Sequence, residues 1–322
     1  MLYLSSIATH EGSLDQRMGL RRALVSGRAI LADAHDLPSL ARRLLSPGAM
    51  RRPAAVVPLP DRRAGQRSAV ELALQVAADA LEGIDRDAVD AIVYCHASPD
   101  ERPTDASVGR LQFELQLRRA FPFSVSQAHN TALPAALDIA AALVEGPEAM
   151  RKVLVVAADK LLFGPAPNRA ARMRWRDVAA AVMVGREACA GWRLHAVQIR
   201  HFATGAGSHR RWPAAEVEAF ATFCAGHLAQ LLAQRGLAPA ALDGLLPLCP
   251  DAALARRVHQ LAGLDGLRVH QPQGPRATQL ASADLLLGLA ALEREAGTGR
   301  LVLAWCCGNN GEFACCLLSR SA

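Results

Sequence analysis

The chain has 322 residues, 51% hydrophobic and 20% charged, enough to bury a large core in roughly two domain-sized units, separate or fused. Its formal net charge is +6, and every basic residue except Lys152 and Lys160 is arginine; the arginine pairs, from Arg21–Arg22 to Arg256–Arg257, are scattered, which argues against a nucleic-acid stripe. A solvated surface, or a docking face for an acidic partner such as a carrier protein, fits them better.

Taken in chain order, residues 1–68 read as an opening strand followed by an irregular capping excursion over about 20–66. The N-terminus MLYLSSIATHEGSLDQR lacks a basic region ahead of an apolar one, and the apolar runs stop short of about 18 residues, so no signal peptide and no membrane span is expected. LQVAADALEGIDRDAVDAIVYCHAS, residues 74–98, is a helix, a turn and the strand VDAIVYC. The helix DASVGRLQFELQL, the strand FSVSQAH, a helix from Ala132, the strand KVLVVAAD and the apolar strand VAAAVMVG follow. The segment 199–216, bearing Pro and Arg, precedes a second series. LAQLLAQRGLAPAALDGLLPLC, residues 228–249, is again a helix, a turn and a strand. After it come the helix DAALARRVHQLAG, the strand LRVHQP, the helix ASADLLLGLAALEREA and the strands RLVLAWCC and FACCLLSR.

Lys152 and Arg300 head equivalent strands 148 positions apart, so the series is a repeat: residues 1–190 form one half and 191–322 the other. Short apolar strands without strict alternation belong to a sheet with helices on both faces, joined by right-handed parallel crossovers. The eight cysteines show no secreted-domain spacing. In Cys306–Cys307 and Cys315–Cys316, neighbours on a strand point to opposite faces, so buried thiols in a reducing cytoplasm are expected rather than a metal site. The sequence holds no P-loop, GxGxxG or serine nucleophile elbow, and no cofactor is expected.

These halves resemble the thiolase superfamily, and most closely β-ketoacyl-acyl-carrier-protein synthase III. The similar words are VDAIVYCHASPDERP, FSVSQAH, KVLVVAADKL, WRDVAAAVMVG, LDGLLPLCPDAALARRV, RATQLASADLLLGL and WCCGNNGEFACCLLSR, which cover nearly all of residues 67–320 in the family's order. The resemblance implies an α/β fold, layered α/β/α/β/α from two pseudo-symmetric halves, that dimerises through strands near the turn before Ala132. It also implies a cysteine, a histidine and an asparagine as catalytic groups. Here those positions hold His129, Leu248 and Ala277. Two of the three cannot polarise a carbonyl, so decarboxylative condensation is not expected. The small-glycine pattern around Asp177 has become Ala and Val, and the closing turn is reduced to Gly308, Asn309 and Asn310. In LSPGAMRR, Gly48 and Arg52 match a coenzyme A-flanking turn, but its tryptophan has no counterpart and Ser46 stands where its arginine would be.

Three readings of His129 stand side by side. A neutral imidazole at a helix start can act as general base, or as transient nucleophile, in moving an acyl group from a carrier-protein or CoA thioester to an acceptor. That would make the chain a ketosynthase III-like acyltransferase of fatty-acid or polyketide biosynthesis. Backbone N–H groups of His129 and Gly308 are oxyanion-hole candidates, with Gln127, Asn130, Thr131 and Asn309 as polar company and Ala277 opening space beside them. Alternatively the chain is a silent partner of an active thiolase-fold paralogue, in a heterodimer rather than a homodimer. In the third reading His129 is a core histidine. His96 ends the first core strand, while His201, His209 and His259 form no set with it.

Overall fold

The computed structural model describes residues 2–11, 67–97, 106–126, 128–146, 150–160, 177–187, 191–203, 212–249, 251–270, 282–295, 300–308 and 310–321. The excursion over about 20–66, with Ser46, Gly48 and Arg52, lies outside them, as do Gln127, Ala277, Asn309 and His209.

In the first half the elements are β1 (Leu2–Glu11), α1 (Ala69–Ala80), β2 (Ala91–His96), α2 (Ser107–Glu114), β3 (Phe121–Ser126), α3 (Ala132–Glu145), β4 (Lys152–Asp159) and β5 (Val178–Gly185). In the second they are β6 (Gly191–His201), α4 (Ala214–Gln234), β7 (Gly244–Leu248), α5 (Ala252–Leu261), α6 (Asp284–Arg294), β8 (Leu301–Cys307) and β9 (Glu312–Ser321). Local chemistry sets several boundaries. Ser68 and Glu71 close a reciprocal capping box ahead of α1, and Asp251 accepts from the N–H groups of Ala253 and Leu254 to start α5. None of these helices is long and apolar enough to cross a membrane.

The nine strands form one sheet in the order β3-β2-β4-β5-β1-β6-β9-β8-β7, in which β2-β4-β5-β1 of the first half matches β7-β8-β9-β6 of the second and β3 is an added edge strand. In each half two or three parallel strands lie outermost, the closing strand runs antiparallel beside them, and the opening strand runs antiparallel to the closing one. β1 joins the halves by pairing β5 on one side and β6 on the other, with Leu2 opposite Leu194.

Three buried clusters divide the space around this sheet. The inner one gathers Ala91, Val93 and Cys95 of β2 and Val302, Ala304 and Cys306 of β8 against α3 and α6. The outer face of the first half packs Ile92, Tyr94, Leu154 and Val156 against α1 and α2. The outer face of the second packs Leu303, Trp305, Phe313 and Cys315 against α4 and α5. The layers therefore run α/β/α/β/α, with α3 and α6 in the middle. A helix enclosed on two sides needs small residues at the contacts, and Ala132, Ala136 and Ala140 supply them along α3. The vicinal cysteines part as strand geometry requires: Cys306 and Cys316 face inward, Cys307 and Cys315 outward, all buried.

Two expected elements differ. The strand LRVHQP is, within the described residues, a bridge from Val269 to Leu245, where the Leu245 N–H donates to the Arg268 carbonyl and the His270 N–H to the Leu245 carbonyl, each at 2.8 Å. The segment 199–216 differs at its start, where Ile199–His201 continue β6, in which a bulge between Leu194 and Ala196 leaves Trp192 and Leu194 in the inner cluster and Ala196 in the outer one.

Candidate functional site

The connection from β3 to α3 makes its turn at His129. This residue has φ +46°, one of three positive-φ positions in the described chain that are not glycine. Histidine tolerates the left-handed region better than bulky or branched residues do, yet the conformation still costs about 1 kcal/mol or more. A 3-10 turn, His129–Thr131, leads directly into α3. Thr131 closes it from both ends of the residue: its N–H and its hydroxyl donate to the Ala128 carbonyl at 2.9 Å and 2.6 Å.

Asn130 fixes the turn against the other half. Its Nδ2 donates to the carbonyl of Leu248 at 3.1 Å and to that of Cys307 at 3.0 Å, tying the ends of β7 and β8 to the head of α3. The Cys306 thiol reaches back to the Asn130 carbonyl at 3.5 Å. Asn130 is 4% exposed, and its Oδ1 is buried with no partner among the described residues. The sequence offers Asn130 as pocket lining; the structure makes it the clamp that holds His129 in place.

Leu248 occupies the inner core at the end of β7 and is 5% exposed, so apolar bulk fills this side of the site. Gly308 departs from its expected use as an oxyanion-hole donor. Its N–H already donates to the Glu312 carbonyl at 2.8 Å, because the turn from β8 to β9 closes there. The backbone N–H of His129 is the candidate that remains. His96 stacks on Tyr94, ring centroids 5.1 Å apart, on the outer-core side of β2, away from the inner core under His129. His259 accepts from the Trp305 indole N–H at 3.1 Å in the outer cluster of the second half, where burial holds its imidazole below the ordinary value and keeps it neutral.

Sequence reasoning passes over two features. Glu312 begins β9, which with β8 touches the 129–131 turn; its carboxylate accepts from the Asn310 N–H at 2.8 Å and from the Asn310 amide at 3.3 Å. The alternation of EFACCLLSR carries the signal, since Ala314, Cys316 and Leu318 on the same face all pack inward. Asp159, at the end of β4, is the second. It accepts from Ala97 N–H at 2.6 Å and from the N–H and hydroxyl of Ser282 at 2.6 Å and 2.7 Å, joining the head of α6 to the first half. No group of three metal-ligating side chains converges among the described residues. An open depression of about 300 Å³ lined by Tyr3, Ser5, Lys152 and Glu187 lies at the start of β4, at the opposite strand ends from His129.

No protein-family model matches the sequence, and no curated protein matches it. Solved structures do. The chain is similar to 3-oxoacyl-(acyl carrier protein) synthase III from Pseudomonas aeruginosa PAO1, with 22% identity and TM-score 0.65 over 80% of this chain and 85% of that one. It is similar to ChlB3, described as an acyltransferase, with 19% identity and TM-score 0.66 over 99% of this chain and 97% of that one. It is also similar to a variant of OleA from Xanthomonas campestris, with 15% identity and TM-score 0.68 over 99% of this chain and 98% of that one. Five layers, a paired strand order and these likenesses agree: the chain has the thiolase-type fold of the ketosynthase III structures.

Proposed function

We propose that this chain moves an acyl group from a thioester to a nucleophilic acceptor at His129, without decarboxylative condensation. The observation that carries the reading is His129 itself, held at φ +46° at the strand-to-helix turn by Asn130, which is clamped to two carbonyls of the opposite half. Strained backbone persists where the surroundings over-determine it, and such sites cluster at reactive groups. His129 takes the proton of an acceptor hydroxyl or amine as that atom attacks the thioester carbonyl. The His129 N–H faces the developing oxyanion, and the proton passes to the leaving thiolate. Two neighbours support the donor class: an acyl-carrier-protein synthase and an acyltransferase share the fold. The donor is thus an acyl-carrier protein or an acyl-CoA.

Leu248 favours a second reading, because a silent partner of an active paralogue would fill the vacated histidine position with apolar bulk in this way. One experiment separates the two. Acyl-loaded carrier protein or acyl-CoA is incubated with the protein alone and with simple alcohol or amine acceptors, and free thiol release is followed beside malonyl-dependent product. The acyltransferase releases thiol only with protein and acceptor present and forms no β-ketoacyl product. Absence of thiol release with either donor class contradicts the proposal, and β-ketoacyl product contradicts the reading of Leu248.

A further inference from the structure

We propose that Cys249 and Cys307 form a reversible disulfide that resets the His129 turn, an oxidation site independent of whether that turn transfers acyl groups. Leu248 pairs with Cys306 across the parallel β7–β8 ladder, so the next residues, Cys249 and Cys307, face each other one position further on. Neighbouring strands lie about 4.8 Å apart, inside the Cα separation of about 4.4–6.8 Å that a disulfide spans. The two sulfurs are already 3.3 Å apart, with the Cys307 thiol donating to Cys249. Closing to a bond of about 2.0 Å moves each sulfur by roughly 0.6 Å, which side-chain rotation supplies.

The two thiols divide the roles that a peroxide-driven oxidation needs. Cys249 is half-buried and the accessible member; Cys307 is 1% exposed. The hydrogen bond to Cys249 and then burial push the Cys307 thiol well up, so it stays protonated until Cys249 has reacted. The Cys249 thiolate attacks one oxygen of hydrogen peroxide, breaking the O–O bond to leave a sulfenic acid and, with one proton, water. The Cys307 sulfur then displaces the sulfenic hydroxyl, and the Cys307 proton leaves with it as a second water. The thiols lose two electrons, the peroxide gains them, and a thiol reductant reverses the bond.

The turn senses the change because Asn130 holds the carbonyls of both Leu248 and Cys307, the residue before one sulfur and the residue bearing the other. The bond replaces the Cys307–Cys249 hydrogen bond and fixes both side chains in new rotamers beside the carbonyls that the clamp holds, next to His129.

The test treats the full chain with graded hydrogen peroxide, alkylates the remaining thiols and maps links by mass spectrometry, while His129 imidazole resonances are followed by NMR. The first link joins Cys249 to Cys307 with loss of both thiols, the His129 resonances shift, and dithiothreitol restores both signals. Cys249→Ser, which keeps a donor for the Asp251 carbonyl now bonded at 3.2 Å, shows neither change. Four results overturn the proposal: no link, over-oxidation of Cys249 without a link, a first link to Cys224, Cys315 or a second chain, or the expected link with His129 resonances unmoved. Cys224 and Cys315 are the relevant competitors because both lie in the same thiol-rich cluster.

Discussion

At the scale of single residues, the turn at 129 sets conformational cost against position. A Cβ in the left-handed region costs about 1 kcal/mol that glycine avoids. His129→Gly should therefore be more stable than His129→Ala by about 1 kcal/mol in chemical denaturation; equal midpoints would mean the +46° conformation is relaxed on substitution. Asn130 is the costlier residue to lose. Asn130→Ala removes two hydrogen bonds and leaves two carbonyls of β7 and β8 without that donor, for a loss of about 2–3 kcal/mol. A change below about 0.5 kcal/mol would show that the clamp does not hold the halves together. None of this was legible in the sequence. A histidine before an alanine-rich helix can be placed at a turn, but its φ depends on what the turn is fastened to. Those fastenings, Leu248 and Cys307, lie 118 and 177 positions away from Asn130.

Among elements, what could be read and what could not follow one rule. β2, β4, β5, β8 and β9 are apolar on both faces because helices cover both, and their boundaries emerge within a few residues from KVLVVAAD, VAAAVMVG and their like. At the edge, Val269 is 40% exposed while His270 is buried, and LRVH gives no local sign that its described pairing amounts to a single bridge. α5 and β8 meet at a titratable contact, His259 under the Trp305 indole. Burial lowers the His259 pKa below the ordinary 6.5, so the unfolded chain binds the proton more readily than the folded one. The stability this contributes is complete above pH 6.5 and is lost as pH falls through the lower, folded value. His195 and His270 shift the same way, burial first, with neighbouring arginines adding to it. The melting temperature should fall between about pH 7.5 and about pH 5.5. His259→Gln, which keeps an acceptor for the indole but does not titrate, should make that fall shallower; an unchanged slope would remove His259 from the account.

For the whole molecule, the repeated half explains why so much apolar surface is enclosed, and β3 is where enclosure stops. It lies at one end of the sheet with Phe121 62% exposed, and Phe113 on the adjoining α2 is 78% exposed. An edge with no further strand beside it among the described residues, and with exposed apolar neighbours, invites pairing with another chain. We propose that a second copy covers it, which places two β3–α3 turns side by side. Sedimentation at micromolar concentration should show a dimer that Phe121→Lys converts to monomer, whereas a wild-type monomer would contradict the pairing.

The central claim is that His129 does chemistry on this fold, and paired measurements on wild type and His129→Asn test it most directly. Asparagine accepts the left-handed backbone and keeps polar atoms at the site, but it cannot act as a base. Acyl transfer from the loaded carrier protein or acyl-CoA should fall by about 10²–10⁴ while the melting temperature stays within a few degrees. Equal transfer rates at equal melting temperatures would contradict the account.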